Sequence, residues 1–121
     1  MPKVKIIGGI KYILGENDFD NHNIIINAKS SWWWYHLNDY VSGHCIVCSD
    51  IINENINIIA GNYVKKYSKY KNDNNIKICY CKVNNLKILD KPGLVEFISK
   101  PSIFNCFNTK IYHHSKYRKL Y

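Results

Sequence analysis

The sequence predicts an α+β domain: a mostly antiparallel sheet in the order β-β-α-β-β-α-β-β, with the helices packed on one face. Three stretches carry that expectation. Gly8-Gly9 separates two β-rich runs, an apolar period of three to four residues follows Asp50, and "IKICYCKV" alternates from Ile76 to Val83. The 121 residues make one core and leave no room for two. At 46% hydrophobic and 14% aromatic, the chain can bury that core without disulfides or metal. The domain is expected over residues 1–108, followed by a basic tail over 109–121, "TKIYHHSKYRKLY".

The elements follow in order. "KVKIIGGIKYIL" reads as a hairpin, because Gly-Gly supplies the positive φ that a two-residue turn needs. In "NDFDNHNIIINAK", Asn17 and Asp18 offer caps for a short helix containing Phe19, Ile24, Ile25 and Ile26. Asn and Ile are poor helix formers, so this helix depends on what it packs against. "WWWYHL" and "HCIVC" are strands by composition. Beyond Asp50, Ile52, Ile56, Ile59, Tyr63 and Tyr67 share a helical face, while Lys65, Lys66 and Lys69 fall elsewhere on the wheel. This helix is expected to reach about Lys71, where "NDNN" stops it. "IKICYCKV" is a strand with Ile76, Ile78 and Tyr80 on one side, "NNLKILDKPG" a lysine-bearing connection, and "LVEFI" and "SIFNCF" the closing strands.

Charge narrows the partner. Seventeen basic residues against nine acids give +8, a balance that favours a polyanion. Only Arg118 is arginine, so the surface suits phosphate contact better than the bidentate reading of guanine. A chain this rich in Asn, Ile, Lys and Tyr is also what an A+T-rich coding sequence yields. No apolar run approaches the ~18 residues of a membrane span, and lysines interrupt the N-terminal stretch, unlike a signal peptide. A cytoplasmic protein with no membrane partner is expected.

Five cysteines are expected as thiols, given that compartment. Cys45 and Cys48 have C-x-x-C spacing, but residues three apart on a strand point to opposite faces and cannot share one metal. Cys79 and Cys81 share a face, yet a lone C-x-C is not a metal site. No metal and no cofactor are expected.

"WWWYHLNDYVSGHCIVC" concentrates the chemistry. On a strand, Trp34 and His36 share one face with Trp32, and Trp33, Tyr35 and Leu37 share the other. If "NDYVSG" is a hairpin loop, His36 pairs with His44, so Trp34, His36 and His44 form one aromatic and imidazole patch. His36, Asp39, Ser42 and His44 also include acid–base types, and Cys45 could serve as a nucleophile. No activating motif accompanies them, so catalysis is not expected. Structural histidines bonded to loop backbone are the plain alternative. A binding face with Trp34 as stacking surface, imidazoles on phosphate or a base edge, and lysines supplying the field also accounts for the charge.

The same residues resemble a known family. "WWYHLNDYVSGHCIV" is similar to the W-F-H-V-x-x-x-P-G-S-H-V-x-I segment of the NFACT-R (NFACT RNA-binding) domains, which end the NFACT proteins and also occur nearly alone. "YVKKYSKYKN" is similar to their A-A-Y-Y-S-K-A-R helix end. "YCKVNNLKILDKPGLVEF" resembles Y-T-x-V-K-x-V-K-K followed by K-P-G-K-V-x-Y, and "NHNIII" stands where the family has Q-N-x-x-L. The likeness spans about residues 8–105. It implies Trp34, His36 and His44 on the central strands, Ser68 and Lys69 at the helix end, and Lys87 and Lys91 around the K-P-G turn as binding residues. Lys65 and Lys66 join them from the basic helix end. The chain departs from the family at Glu16, where a basic residue is common, in the order Ser42-Gly43-His44, at Ile88 in place of a lysine, and in its short K-P-G connection.

The resemblance implies a nucleic-acid-binding module for structured RNA, tRNA or ribosomal RNA, linked to translation or ribosome-associated quality control. Two other partners fit the residues: a ribosomal or host protein docked on the aromatic face, or DNA, since lysine–phosphate contacts do not sense the 2′-hydroxyl.

Overall fold

The computed structural model describes residues 1–107, so the expected basic tail lies outside the described residues. β1 (Lys3–Ile7) and β2 (Ile10–Leu14) are joined by Gly8 and Gly9 at φ 58° and 80°, the left-handed pair that closes a two-residue hairpin. α1 (Asp18–Ile26) starts at Asn17, whose Oδ1 accepts the Asp20 N–H at 2.8 Å. β3 (Trp33–Leu37) and β4 (Cys45–Val47) precede α2 (Glu54–Lys66), capped by Asn53 through a 2.8 Å bond from Ile56 N–H. β5 (Asn75–Lys82) leads through a 3₁₀ turn (Val83–Asn85) into β6 (Leu86–Ile88), β7 (Val95–Phe97) and β8 (Ser102–Phe107).

The fold is α+β. Six strands form one antiparallel sheet in the order β1-β2-β4-β3-β5-β8, and β6 and β7 pair as a separate ribbon. The chain follows the expected element order through β5. The lysine-bearing connection then proves to contain a strand of its own, because Leu86 and Ile88 pair with Phe97 and Val95, and Leu86 and Val95 pack onto the sheet.

The helices do not share a face. α2 lays Ile56, Ala60, Tyr63 and Val64 on Tyr12, Tyr35, Leu37, Val47 and Ile78. α1 sets Ile24 and Ile25 on the other side, against Trp34, Ile46, Cys79 and Cys81, and the ribbon completes that cover with Leu86 and Val95. The physical reason is that the central strands are apolar on both sides: Tyr35 and Ile78 face one way, Trp34, Ile46 and Cys79 the other. Each side must therefore be covered.

α2 also ends sooner than expected, at Lys66. Ser68 Oγ donates to the Lys65 carbonyl at 2.8 Å and accepts the Tyr70 N–H at 3.0 Å, turning the chain away from the helix axis. Among the described residues no helix is long and apolar enough to cross a membrane.

Candidate functional site

Because β3 and β4 pair as Trp34↔Ile46 and Tyr35↔Cys45, the next positions along the hairpin bring His36 opposite His44. The patch forms as the hairpin register predicts. The imidazoles stand 4.9 Å apart at 82°, His36 stacks on the Trp34 indole at 5.5 Å, and His44 meets that indole edge-on at 5.3 Å. The Trp34 indole N–H donates to His44 Nδ1 at 3.1 Å, and Nδ1 of His36 donates to the Leu37 carbonyl at 2.6 Å.

α1 and the loop lock His44 in place. Asn21 Oδ1 accepts the His44 backbone N–H at 3.0 Å, and the Gly15 N–H donates to the His44 carbonyl at 2.9 Å. Gly15 and Gly43 permit this approach: a Cβ on Gly15 would lie 2.0 Å from Asn21 Oδ1, and one on Gly43 would lie 2.4 Å from the Gly15 carbonyl. Ser42 Oγ accepts the Leu37 N–H at 3.1 Å, which fixes the loop end beside His36.

The imidazoles open into a cleft of about 480 Å³, within the usual range of ligand sites. Its far wall is the β6–β7 ribbon. Phe97 packs edge-on against Trp34 at 5.5 Å, while Gly93, at φ 83°, brings the ribbon tip onto α1, where a Cβ would lie 3.1 Å from the Asp18 carbonyl. Asp18 and Asp39 line the cleft, and among the described residues no lysine or arginine does. Burial, reinforced by the neighbouring His36, pulls the His44 pKa down to about 3. Burial also lowers that of His36, with the Leu37 and Ser42 carbonyls working against it. Both rings are neutral near pH 7.

These facts redistribute the expected roles. Trp34, at 2% exposure, and His44, at 4%, are buried, so Trp34 is a support for His36 and not an open stacking surface. The aromatic groups at the mouth are Phe97 and Tyr40, the latter stacked on Tyr70 at 4.1 Å. Lys65, 5% exposed, lies among the buried residues of α2 with its ammonium donating to the Lys71 carbonyl at 2.8 Å, so it is not available to a phosphate. Ser68 is spent on closing α2. Lys66 and Lys69 are exposed at that helix end and neither lines the cleft. Lys87 is exposed on the outer face of the ribbon, opposite Glu96, and Lys91 is exposed at its tip, close along the chain to Gly93.

Sequence reasoning missed Asn21, Phe97 and Lys77. Lys77 is exposed and shares the parity of Cys79, which pairs with His36, so it stands on the cleft side of the sheet. That parity is legible in "KICYCK", and the Val95/Phe97 alternation hints at a covering ribbon. Asn21 carries no such signal, because its role depends on where α1 docks.

Cys45 points to the α2 side, opposite the imidazoles, and burial raises its pKa, so it cannot act with either histidine. Cys79, which lines the cleft, is pushed up to about 11, chiefly by burial and then by Cys81. Among the described residues no three His, Cys, Asp or Glu side chains gather to hold a metal.

No family model matches the sequence, and no curated protein matches it. Among solved structures, the C-terminal part of the fibronectin/fibrinogen-binding protein from Streptococcus suis is similar, with a TM-score of 0.82 at 18% identity over 91% of this chain. The likeness covers 46% of that chain, so the present sequence spans about half its length. At that identity it shows a shared fold.

Proposed function

We propose that the chain is a small RNA-binding module, acting in the cytoplasm without catalysis, that holds an unpaired nucleotide of a structured RNA such as tRNA or ribosomal RNA. The observation that carries this reading is the cleft itself. It is an aromatic and imidazole recess that no lysine or arginine among the described residues lines, with Lys77 and Lys91 outside it to meet the backbone. Single-stranded loops and bulges are recognised in this way, bases in aromatic recesses and phosphates on lysines. The likeness of four segments to NFACT-R domains and the net charge of +8 support it, and the same likeness implies a link to translation or ribosome-associated quality control.

A protein partner is the second reading. It is favoured by the apolar rim, where Val41 is 90% and Leu94 49% exposed, and by the fibronectin/fibrinogen binding in the name of the similar Streptococcus suis protein.

Fluorescence-anisotropy titrations with tRNA, a single-stranded RNA and duplex DNA across a salt series separate the readings. RNA binding that weakens steeply with salt supports the first. Preference for the duplex would make this a DNA-binding protein. Absence of binding to any nucleic acid would remove the first reading and leave the rim as the surface to pursue.

A further inference from the structure

We propose that His36 and His44 form a fixed acceptor–donor pair that reads the Watson–Crick edge of the nucleobase seated in the cleft, an assignment that rests on the RNA-binding reading above. The argument begins with what each imidazole is bonded to. A carbonyl oxygen only accepts, so the 2.6 Å contact of His36 Nδ1 with Leu37 puts the ring proton on Nδ1 and leaves Nε2 as an acceptor. An indole N–H only donates, so the 3.1 Å contact of Trp34 with His44 Nδ1 leaves that nitrogen bare and puts the proton on Nε2. Both rings line the cleft, 4.9 Å apart, and their Nε2 atoms differ in hydrogen-bonding character.

That pair discriminates among ligands. A phosphate carries acceptors alone, so it would satisfy His44 and oppose the lone pair of His36, and Asp18 and Asp39 in the lining would repel it. A trans peptide group points its N–H and C=O to opposite sides and cannot meet both rings from one edge. A base carries a ring or amino N–H beside a carbonyl or ring-nitrogen acceptor on one flat edge, and in RNA loops that edge is free. Phe97 and Tyr40 at the mouth supply aromatic neighbours for the flat ring. The neutrality of both imidazoles, caused first by burial, keeps the tautomers distinct, because a protonated imidazole would donate from both nitrogens.

The test uses the full chain labelled with ¹⁵N-histidine. Long-range ¹H–¹⁵N spectra near neutral pH report which ring nitrogen carries the proton. The free protein is expected to show His36 as the Nδ1–H form and His44 as the Nε2–H form. Short homopolymer RNA strands of each base are then titrated in low salt, and the tightest is repeated with its Watson–Crick edge methylated. Movement of both Nε2 resonances, with affinity lost by about tenfold or more on methylation, supports the assignment. Other tautomers in the free protein, or binding that leaves the Nε2 resonances still and ignores methylation, overturns it while RNA binding stands. If no strand binds, the assignment falls, and the tRNA titration above decides the RNA reading separately.

Discussion

The Trp34 indole N–H donates to Nδ1 of His44 across 3.1 Å, linking a buried aromatic ring of β3 to the buried wall of the cleft. Replacing Trp34 with Phe removes that donor, leaves an imidazole nitrogen without its partner and opens space beneath Phe97. The expected cost is about 2–4 kcal/mol of stability, from the unpaired nitrogen and the cavity together. Urea denaturation measures it, and a loss well below about 1 kcal/mol would mean the bond contributes little.

Acid should destabilise the fold through His44. Its pKa is depressed to about 3 in the folded protein, against about 6.5 when unfolded, so the unfolded chain binds the extra proton between those values. The stability contribution is complete above about pH 6.5 and is lost progressively as the pH falls toward about 3, by about 1.4 kcal/mol per pH unit from this histidine. Denaturation midpoints measured from pH 7 to pH 5 should fall, and His44→Gln should flatten the decline.

Gly93 is where the cleft wall meets α1. At φ 83°, with the Asp18 carbonyl 3.1 Å from the position of a Cβ, Gly93→Ala is strained both in its backbone and in its contact with α1. A loss of about 1–3 kcal/mol is expected, with chemical-shift changes concentrated on the ribbon and the start of α1. Gly8→Ala would meet nothing within 4 Å, so its cost is the left-handed backbone alone, and its shift changes should stay in the β1–β2 turn.

The lysines separate into two classes. Lys65→Ala should lower stability, since its stem is buried and its ammonium holds the turn at Lys71, and should leave the salt dependence of RNA binding unchanged. Lys77→Ala and Lys91→Ala should leave stability within about 0.5 kcal/mol and each reduce the slope of log affinity against log salt by about 1. Anisotropy titrations on these variants at several salt concentrations provide the comparison.

What could be read in the sequence was local. The Gly8-Gly9 turn, the alternation of "IKICYCKV" and the pairing of His36 with His44 all follow from residues a few positions apart, where backbone geometry leaves little choice. The side on which each helix packs did not follow from α+β class alone. Its signal was present in β5, where Ile76 and Ile78 face one way and Cys79 and Cys81 the other, marking a sheet that is apolar on both sides and needs two covers. Lys65 was misread because its burial depends on the path of the chain after α2, which Ser68 turns back toward the ammonium. The cover over Trp34 comes from Phe97, some sixty residues onward in "LVEFI", which reads as a closing strand of the main sheet but pairs with Leu86–Ile88 as a separate ribbon.

The cleft walls come from α1, the β3–β4 hairpin, β5 and the ribbon, spread from Asp18 to Phe97, and they meet only in the folded domain. An unfolded chain therefore has no version of this recess, and any occupant acts as thermodynamic ballast on the native state. A guest at a hundred times its dissociation constant would add about 2.7 kcal/mol to the stability of the entire fold. The melting temperature thus becomes an unbiased reporter: a library of small flat heterocycles can be ranked by thermal shift with no macromolecular partner in hand.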